Sequence, residues 1–332
     1  MKKRLLILHL FFLPILVSAQ YVPNSAQNFH YAPLYNPAFT GIENFVDFKF
    51  GYCYQWTGFK ENAPQFGNIA VNFRLKQPLD LKTNGLRPSR TDFSKLVPRR
   101  KLSIHGLGFN GYSETFGPIV RAGGGLHYAM HLPLSEKLYL SGGIGAMIEN
   151  TRVDHNKLYW GSNPDSGDPV YDKVMAGGAN HTEIWTRAGV LLYGENFYVG
   201  GTYYPYNTNL KSSDIAFEDA YYTAGVQAGV SFPLNEDFDL KPTIWALMLT
   251  TDEWLIDYSA KFYMQDKVWF GLTYRDVKAG IVSGGFNISQ LLSASYSYEF
   301  NLGKLRTFSG SSHELILAFR FSNIRHLNQR TW

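Results

Sequence analysis

A glycine-rich stretch, Gly106–Gly111, has the spacing of a dinucleotide-binding loop. Its letters match G-x-G-x-x-G, but in nucleotide-binding proteins such glycines join a strand to a helix whose N-terminus meets a pyrophosphate. Here Ser113 and Thr115 follow, and the chain continues as a second strand rather than a helix. We therefore predict that these glycines permit close packing and a hairpin bend, as do those at 123–125 and 142–145.

Metal ligation and redox chemistry are also poorly supported. His127 and His131 would share one face of a strand about 13 Å apart, which is too far for a single metal ion. Cys53 is the one cysteine, so no internal disulfide can form, and no Cys/His grouping has zinc spacing. No cofactor or metal is predicted.

Nucleophilic catalysis would need a nucleophile placed beside its base. No Gly-x-Ser-x-Gly elbow occurs, and Ser113, Asp257, His313 and Glu314 have no spacing that assembles such a group. We expect the protein not to be an enzyme. A hydrolase built from residues on distant strands stays open as a third hypothesis.

The N-terminus has the pattern of an export signal. Lys2, Lys3 and Arg4 precede the apolar run Leu5–Val17, and cleavage is predicted after Ala19. Residues 1–19 are therefore assigned to a signal peptide. Their removal leaves 28 basic and 27 acidic residues, a net charge of +1 in place of +4.

Most of the remaining basic charge is local. Between Lys76 and Lys101 the chain carries eight basic and two acidic residues, a net charge of +6. This run contains Pro and Ser and belongs to an exported protein, without the interleaved aromatic face that nucleic-acid binding needs. Nucleic acid is therefore not expected as a partner.

Hydrophobic residues alternate with polar ones along most of the chain. The 332 residues are 45% hydrophobic, 16% aromatic and only 17% charged, with 31 glycines. Segments of alternating pattern about 9 to 11 residues long fit tilted membrane-spanning strands. They are predicted at Phe45–Trp56, Pro64–Leu75, Lys101–Tyr112, Ile119–Leu132, Leu138–Val153, His181–Tyr193, Asn196–Tyr204, Tyr221–Phe232, Leu240–Leu249, Glu253–Met264, Val268–Arg275, Ala279–Asn287, Leu291–Phe300 and His313–Phe321.

This pattern predicts an all-β fold, a transmembrane antiparallel β-barrel of about 14 strands over residues 45–321. Alternation alone also fits a soluble sandwich, but the export signal, strand length and aromatics near strand ends favour the barrel. Residues 20–44 are expected to form an N-terminal periplasmic segment and 322–332 a C-terminal tail. Strand parity places 76–100 on the periplasmic side, unless the strand count is off by one.

Several ionisable residues are predicted to face the lumen. They would either line an ion-selective pore or belong to a salt-bridged plug. They are Asp47, Lys49, Arg74, Asp257, Lys261 and Glu299.

A set of short motifs in order resembles the PorP/SprF family of Bacteroidetes. It begins with Tyr35–Gly41 and the Gln55-Trp56 pair, and it continues through Gly106–Phe109, Trp269–Arg275 and Ser312–Glu314. The resemblance covers nearly the whole mature chain. It implies an outer-membrane component of the type IX secretion system that helps secrete or anchor cargo proteins, in some members a gliding adhesin. The rival hypothesis is an outer-membrane channel for small solutes.

The resemblance also implies partners and contact residues. The expected partners are outer-membrane lipid, periplasmic components of the secretion system and cargo with a C-terminal secretion domain. Asn36-Pro37-Ala38 is read as a turn that anchors the N-terminal segment. The candidate family-motif or partner-contact residues are Asn36, Pro37, Gly41, Gln55, Trp56, Gly58, Pro64, Arg99, Arg100, Lys101, His313 and Glu314.

Overall fold

The structure is a computed structural model of the chain. It describes residues 25–75, 103–135, 137–158, 169–176, 179–211, 222–249, 253–265, 267–276, 279–289, 291–303 and 306–321. The predicted signal peptide, the basic segment 76–100 with Lys101 and the C-terminal tail lie outside these residues.

Within the described residues, fourteen long strands make up the fold, each from a segment in which side chains alternate between two faces. They are β1 Val46–Tyr54, β2 Gln65–Arg74, β3 Ile104–Phe116, β4 Ile119–Pro133, β5 Tyr139–Val153, β6 Asn180–Tyr193, β7 Phe197–Lys211, β8 Tyr222–Val230, β9 Phe238–Leu249, β10 Trp254–Met264, β11 Val268–Arg275, β12 Ala279–Asn287, β13 Leu292–Asn301 and β14 Ser311–Phe321.

Consecutive strands pair antiparallel, and the last strand returns to the first. β14 pairs with β1 in a continuous register from Val46 opposite Phe321 to Tyr54 opposite His313. After Ser231, a two-residue continuation of β8 at Phe232–Pro233 also pairs with β9. The ring is therefore closed, which satisfies every strand edge and is the arrangement a bilayer requires of a β structure.

The ring has two ends that differ in their connections. The short-turn end carries the connections β4–β5, β6–β7, β8–β9, β10–β11 and β12–β13, together with the β2–β3 connection. The long-loop end carries the β1–β2 connection with the 3₁₀ helix Thr57–Asn62, the β5–β6 connection, and the β13–β14 connection. Among the described residues, no helix is both long enough and apolar enough to cross a membrane.

The outer face of the ring is apolar and the inner face is polar. Side chains such as Ile144 and Leu126 are 63% and 60% exposed on the outside, as expected for a surface covered by lipid. Inward positions carry buried polar groups, among them Asp47, Asn110 and Gln227. The predicted barrel fold is confirmed, and the predicted bounds of β11 and β12 match those observed.

The inside of the ring is occupied by residues 25–45, which we call the plug. It contains a 3₁₀ helix Asn28–Tyr31, a one-turn helix α1 Ala32–Tyr35 and a 3₁₀ turn Pro37–Phe39. Its aromatic side chains form the buried apolar cluster of the protein with inward residues such as Leu191 and Trp245. The plug begins in the long-loop half of the lumen and descends to enter β1 at the short-turn end.

This position differs from the expectation that residues 20–44 form a periplasmic segment. The plug forms hydrogen bonds or ring contacts with strands around the ring, from Lys49 of β1 to Arg275 of β11 and Glu314 of β14. A chain of this length can reach such widely separated strands only from within the ring. The difference arises because its short helical turns have no period that marks them, and their partners lie far away in sequence.

Candidate functional site

Asn36 anchors the middle of the plug. Its side-chain carbonyl accepts a hydrogen bond from Ala38 N at 2.9 Å, which closes the turn predicted at Asn36-Pro37-Ala38. Its amide nitrogen lies 3.0 Å from Gln227 Oε1 and 3.3 Å from the carbonyl oxygens of Val190 and Gly201. Asn36 is fully buried, so this one side chain joins the turn to β6, β7 and β8.

Glycines in the barrel wall make room for the plug. A Cβ on Gly106 would collide with the carbonyl group of Thr40, and one on Gly143 would collide with the backbone of Pro37 and Ala38. Gly41 has a φ of 72°, a conformation that favours glycine, and it lies directly against Gly106. The glycine-rich stretch therefore serves close packing, as predicted, and it packs against the plug. The predicted hairpin bend is wrong, because the stretch lies inside β3.

The end of the plug is fixed at the short-turn half of the lumen. His131 Nε2 donates to Thr40 O at 2.8 Å, while Tyr193 OH lies 3.0 Å from His131 Nδ1. Ser141 Oγ donates to Ala38 O at 2.8 Å. Arg74 donates to Gly41 O at 2.9 Å and to Ile42 O at 2.7 Å. The His131 ring is thus committed to the plug rather than to a metal.

The beginning of the plug is held by charged groups in the long-loop half. Arg275 forms salt bridges with Asp257 at 2.8 Å and with Glu299 at 2.9 Å, and its Nη2 donates to Ser25 O at 3.1 Å. Asn28 donates to the other oxygen of Asp257 at 2.9 Å. One guanidinium therefore joins two buried carboxylates and the plug backbone.

Glu314 provides a second attachment. Its carboxylate accepts hydrogen bonds from Ser25 Oγ at 2.6 Å and from Gln27 N at 3.0 Å. The adjacent His313 points the other way, toward the outer face, where its Nδ1 lies 2.6 Å from Tyr296 OH. The two motif residues thus act on opposite faces of β14.

The six charges predicted to face the lumen all do so, and most have partners. Lys49 pairs with Asp47 at 2.7 Å and also donates to His30 O at 2.6 Å. Lys261 instead lies over the ring of Phe29, with its Nζ 3.5 Å from the ring centroid. The sequence left open whether these charges line an ion-selective pore or pair with one another inside a plugged lumen. Their positions match the second alternative.

Charge in the lumen is separated along the barrel axis. Most luminal carboxylates lie in the long-loop half, accompanied by Arg121 and Arg275. Most luminal cations lie in the short-turn half, accompanied by Asp47 and Glu43, and Arg187 lies between the two halves. The long-loop carboxylates are Glu114, Glu149, Glu183, Asp257, Glu299 and Glu314, and the short-turn cations are Lys49, Arg74, Lys241, Lys261 and Arg320. The short-turn half therefore favours anions.

The remaining described motif residues meet at the rim of the long-loop end, beside the β1–β14 seam. Gln55 N donates to Pro64 O at 2.8 Å, and Trp56 N donates to Ser312 Oγ at 3.3 Å. A Cβ on Gly58 would collide with the carbonyl oxygen of Phe308, in the one-turn helix Arg306–Ser309. The two loops of the seam thus pack backbone to backbone.

This rim also shows local backbone strain. Trp56 and Lys60 have φ values of 49° and 51°, which non-glycine residues adopt only where the surroundings enforce them. The centroid of the Trp56 ring lies 6.1 Å from the ring centroids of both Phe59 and Phe116. The nearby Phe308 side chain is 72% exposed. The rim is therefore an ordered surface that exposes apolar side chains.

Sequence reasoning missed much of this site. Arg275, Ser25 and Gln27 were not predicted to act together, because nothing local links residues 250 positions apart. One available signal was the inward glycine at Gly143, where an alternating strand should carry a polar side chain. Arg99, Arg100 and Lys101 lie outside the described residues. In the described part of the chain, no group of three or more His, Cys, Asp or Glu side chains is arranged to hold a metal ion.

Solved structures similar to this chain are barrels with low sequence identity. The toluene transporter TodX of Pseudomonas putida is 10% identical, with 87% of this chain and 93% of that chain covered and a TM-score of 0.44. CdiB from Acinetobacter baumannii is 8% identical, with 83% and 60% covered and a TM-score of 0.41. The KdgM porin in complex with oligogalacturonate is 8% identical, with 83% and 99% covered and a TM-score of 0.37. No curated protein sequence matches the chain.

The family model of the type IX secretion system membrane protein PorP/SprF matches residues 17–319. The match extends from the end of the predicted signal through the plug and almost to the end of β14. With its closed ring and apolar exterior, the protein is an outer-membrane barrel component of the type IX secretion system. The resemblance found in the sequence motifs is confirmed: the chain belongs to the PorP/SprF family.

Proposed function

We propose that this barrel is a non-catalytic scaffold that helps to secrete cargo proteins or to anchor them at the cell surface. The observation that carries the proposal is the plug, which occupies the lumen and is fixed to strands around the ring through Asn36, Arg275 and Glu314. A barrel filled in this way offers its two rims, rather than its lumen, to other proteins.

The two rims are assigned to the two sides of the membrane by their connections. Short turns lie in the periplasm in bacterial barrels. The short-turn end, with the β2–β3 connection, would then face the periplasm. The rim that holds Trp56 and Phe308 would face outward, and the solute-channel alternative would require a path past the plug.

The channel alternative is tested by reconstituting the purified protein into planar bilayers. We expect no stepwise conductance from the wild type, because the plug and its paired charges fill the lumen. The matched comparison is Asn36→Ala, which removes the central anchor and should increase the frequency of openings. Steady conductance of the wild type would support the channel and contradict the scaffold.

The periplasmic contact is proposed to involve the basic segment 76–101 and an acidic surface on another component of the secretion system. Replacing Arg99, Arg100 and Lys101 with Glu should abolish co-purification with periplasmic components while leaving the barrel folded. The matched control replaces Lys60, Lys157 and Lys173 with Glu, the same change of charge at the long-loop end. If the Arg99, Arg100 and Lys101 variant co-purified as well as the wild type, the proposed contact would be contradicted.

The outer rim is proposed to contact cargo that carries a C-terminal secretion domain. Replacing Phe308 and Phe59 with Ser should release such cargo from the surface into the medium. Met175→Ser is the control, because Met175 is also exposed and apolar at the long-loop end. If a gliding adhesin is among the cargo, the Phe308 and Phe59 variant should also lose surface adhesin. Unaltered cargo retention would refute this role of the rim.

A further inference from the structure

The lipid-facing side of β14 carries a polar cluster centred on His313. Its Nδ1 lies 2.6 Å from Tyr296 OH of β13, and its Nε2 lies 3.1 Å from Ser311 Oγ. The Tyr298 ring packs edge-on against the imidazole, with 5.3 Å between the ring centroids. Polar side chains on the lipid face are costly near the middle of a bilayer and tolerated near its boundary. The cluster therefore marks the level of the lipid headgroups at the long-loop end.

The polar surface continues across the seam onto β1 and β2. Tyr54 lies directly opposite His313 in the register, and its hydroxyl donates to Lys60 O at 2.9 Å. On the same face of β1, Tyr52 OH donates to Gln65 Oε1 of β2 at 2.9 Å. Tyrosines whose rings lie on an apolar surface while their hydroxyls reach polar partners are typical of a membrane interface. The polar band thus spans four neighbouring strands, β13, β14, β1 and β2.

A cluster of the same construction lies at the opposite end of the ring. On the lipid face of β3, His105 Nε2 lies 3.0 Å from Ser103 Oγ, and its Nδ1 lies 2.6 Å from Tyr128 OH of β4. Each cluster thus has a serine two residues before a histidine, with a tyrosine on the neighbouring strand. The next outward positions of β3 are Leu107 and Phe109, where the apolar belt begins. The two clusters therefore bracket that belt, one at each headgroup level.

The two connections next to the His313 cluster carry positive charge. The β1–β2 connection contains Lys60 and Glu61, and the β13–β14 connection contains Lys304 and Arg306 with no acidic residue, so the two together have a net charge of +2. Lys60 and Arg306 are both exposed. Because the two connections pack backbone to backbone, their charge is held on one side of the ring, at the edge of the polar band. Basic residues at a headgroup level attract anionic lipids.

We propose that the β1–β14 seam binds an anionic glycolipid of the lipid A type through its phosphate groups at the long-loop end. Lys60 and Arg306 bind the phosphates through charge-assisted hydrogen bonds. The hydroxyl of Tyr298, which forms no hydrogen bond with the described residues, donates to the same headgroup. The acyl chains lie along the exposed apolar side chains of the seam, such as Phe50 and Leu315. Assignment of the lipid to the outer leaflet rests on the sidedness proposed above, whereas recognition of its phosphates does not.

The test is native mass spectrometry of the detergent-solubilised full-length protein with added diphosphoryl lipid A. We expect the wild type to retain this lipid, and to bind the same lipid without its phosphates about tenfold or more weakly. The double variant Lys60→Ala, Arg306→Ala should weaken binding of diphosphoryl lipid A by a similar factor. The matched control Lys157→Ala, Lys173→Ala removes two exposed cations of the β5–β6 connection, away from the seam, and should bind as the wild type does.

Three outcomes would overturn the proposal. Equal binding of lipid A with and without phosphates would mean that the acyl chains alone hold the lipid. Undiminished binding by the Lys60 and Arg306 variant would place the lipid elsewhere on the ring. Displacement of lipid A by an equal concentration of inorganic phosphate would indicate a site for the free anion. Because binding is measured in detergent with purified protein, none of these outcomes bears on the proposed role in secretion or on the orientation of the barrel.

Discussion

The Glu314 carboxylate accepts hydrogen bonds from Ser25 Oγ at 2.6 Å and Gln27 N at 3.0 Å, so the strand that closes the barrel also holds the beginning of the plug. β14 pairs with β1 on one side, and β1 is the direct continuation of the plug. The seam of the ring and both ends of the plug are therefore mechanically joined.

Glu314→Leu should loosen this junction. The substitution removes the carboxylate that accepts from the Ser25 hydroxyl, and it leaves the Gln27 amide with only its 3.0 Å bond to Ser25 Oγ. An unsatisfied buried donor costs about 1–3 kcal/mol. We expect a lower midpoint of guanidinium unfolding, followed by tryptophan fluorescence, and faster proteolysis ahead of Asn28. Glu314→Gln keeps a carbonyl acceptor and should lose less stability. Equal stability of Glu314→Leu and wild type would contradict the attachment.

Adjacent glycines on β5 provide a direct test of plug packing. Gly143→Ala places a Cβ against the backbone of Pro37 and Ala38, which cannot move without displacing the turn at Asn36. We expect a loss of about 1–3 kcal/mol of stability, as for an overpacked core. In Gly142→Ala the added Cβ meets nothing within 4 Å and faces outward, so stability should change by less than about 0.5 kcal/mol.

The two glycines are neighbours on one strand and point to opposite faces of the sheet. A difference in stability between the two variants therefore reports which face each added Cβ enters. Denaturant unfolding in the same detergent gives the free energies. Equal effects of the two substitutions would mean that residues 25–45 do not lie against β5. A greater loss for Gly142→Ala would reverse the assignment of inner and outer faces.

Arg275 is predicted to be the most sensitive charge in the lumen. Arg275→Met leaves Asp257 and Glu299 buried without their cation, which costs about 3–5 kcal/mol. The control Arg306→Met removes an exposed cation and should change stability by less than about 0.5 kcal/mol. Thermal unfolding in detergent measures both.

Neutralising Asp257 and Glu299 tests whether their uncompensated charge causes the stability loss of Arg275→Met. The triple variant Arg275→Met, Asp257→Asn, Glu299→Gln removes the uncompensated charges and should recover part of the loss, because neutral partners carry a smaller desolvation penalty. If the triple variant were no more stable than Arg275→Met alone, buried charge would not be the source of the destabilisation.

The barrel could be predicted from the sequence because the pattern that defines each strand is local. Each strand needs only a period of two and a turn at each end, and in segments such as Val268–Arg275 the lipid-facing side chains are aromatic or aliphatic at every second position. Inward positions such as Asp47 and Lys49 followed from the same period. The closed ring then follows from the number and length of the strands, since open edges are not tolerated in lipid.

The plug could not be read in the same way. Its turns are three or four residues long, and they are stabilised by partners such as Gln227, which lies 191 positions from Asn36. The turn at Asn36-Pro37-Ala38 was predicted, because the side-chain cap is local. Its location inside the ring was not, because that location depends on Gly106, Gly143 and Arg275 acting together in three dimensions.

Asn36 gives the last test, because one buried side chain serves the turn and three strands at once. Asn36→Ala leaves Gln227 Oε1 without this donor and the Ala38 amide without its cap, and it should cost about 2–4 kcal/mol. Asn62→Ala, at an exposed position in the β1–β2 connection, should change stability by less than about 0.5 kcal/mol. Guanidinium unfolding provides both values. Because the anchor is central, Asn36→Ala should also make residues 28–40 accessible to protease, and a variant that lost stability while this segment stayed protected would show that the anchor supports the wall rather than the plug.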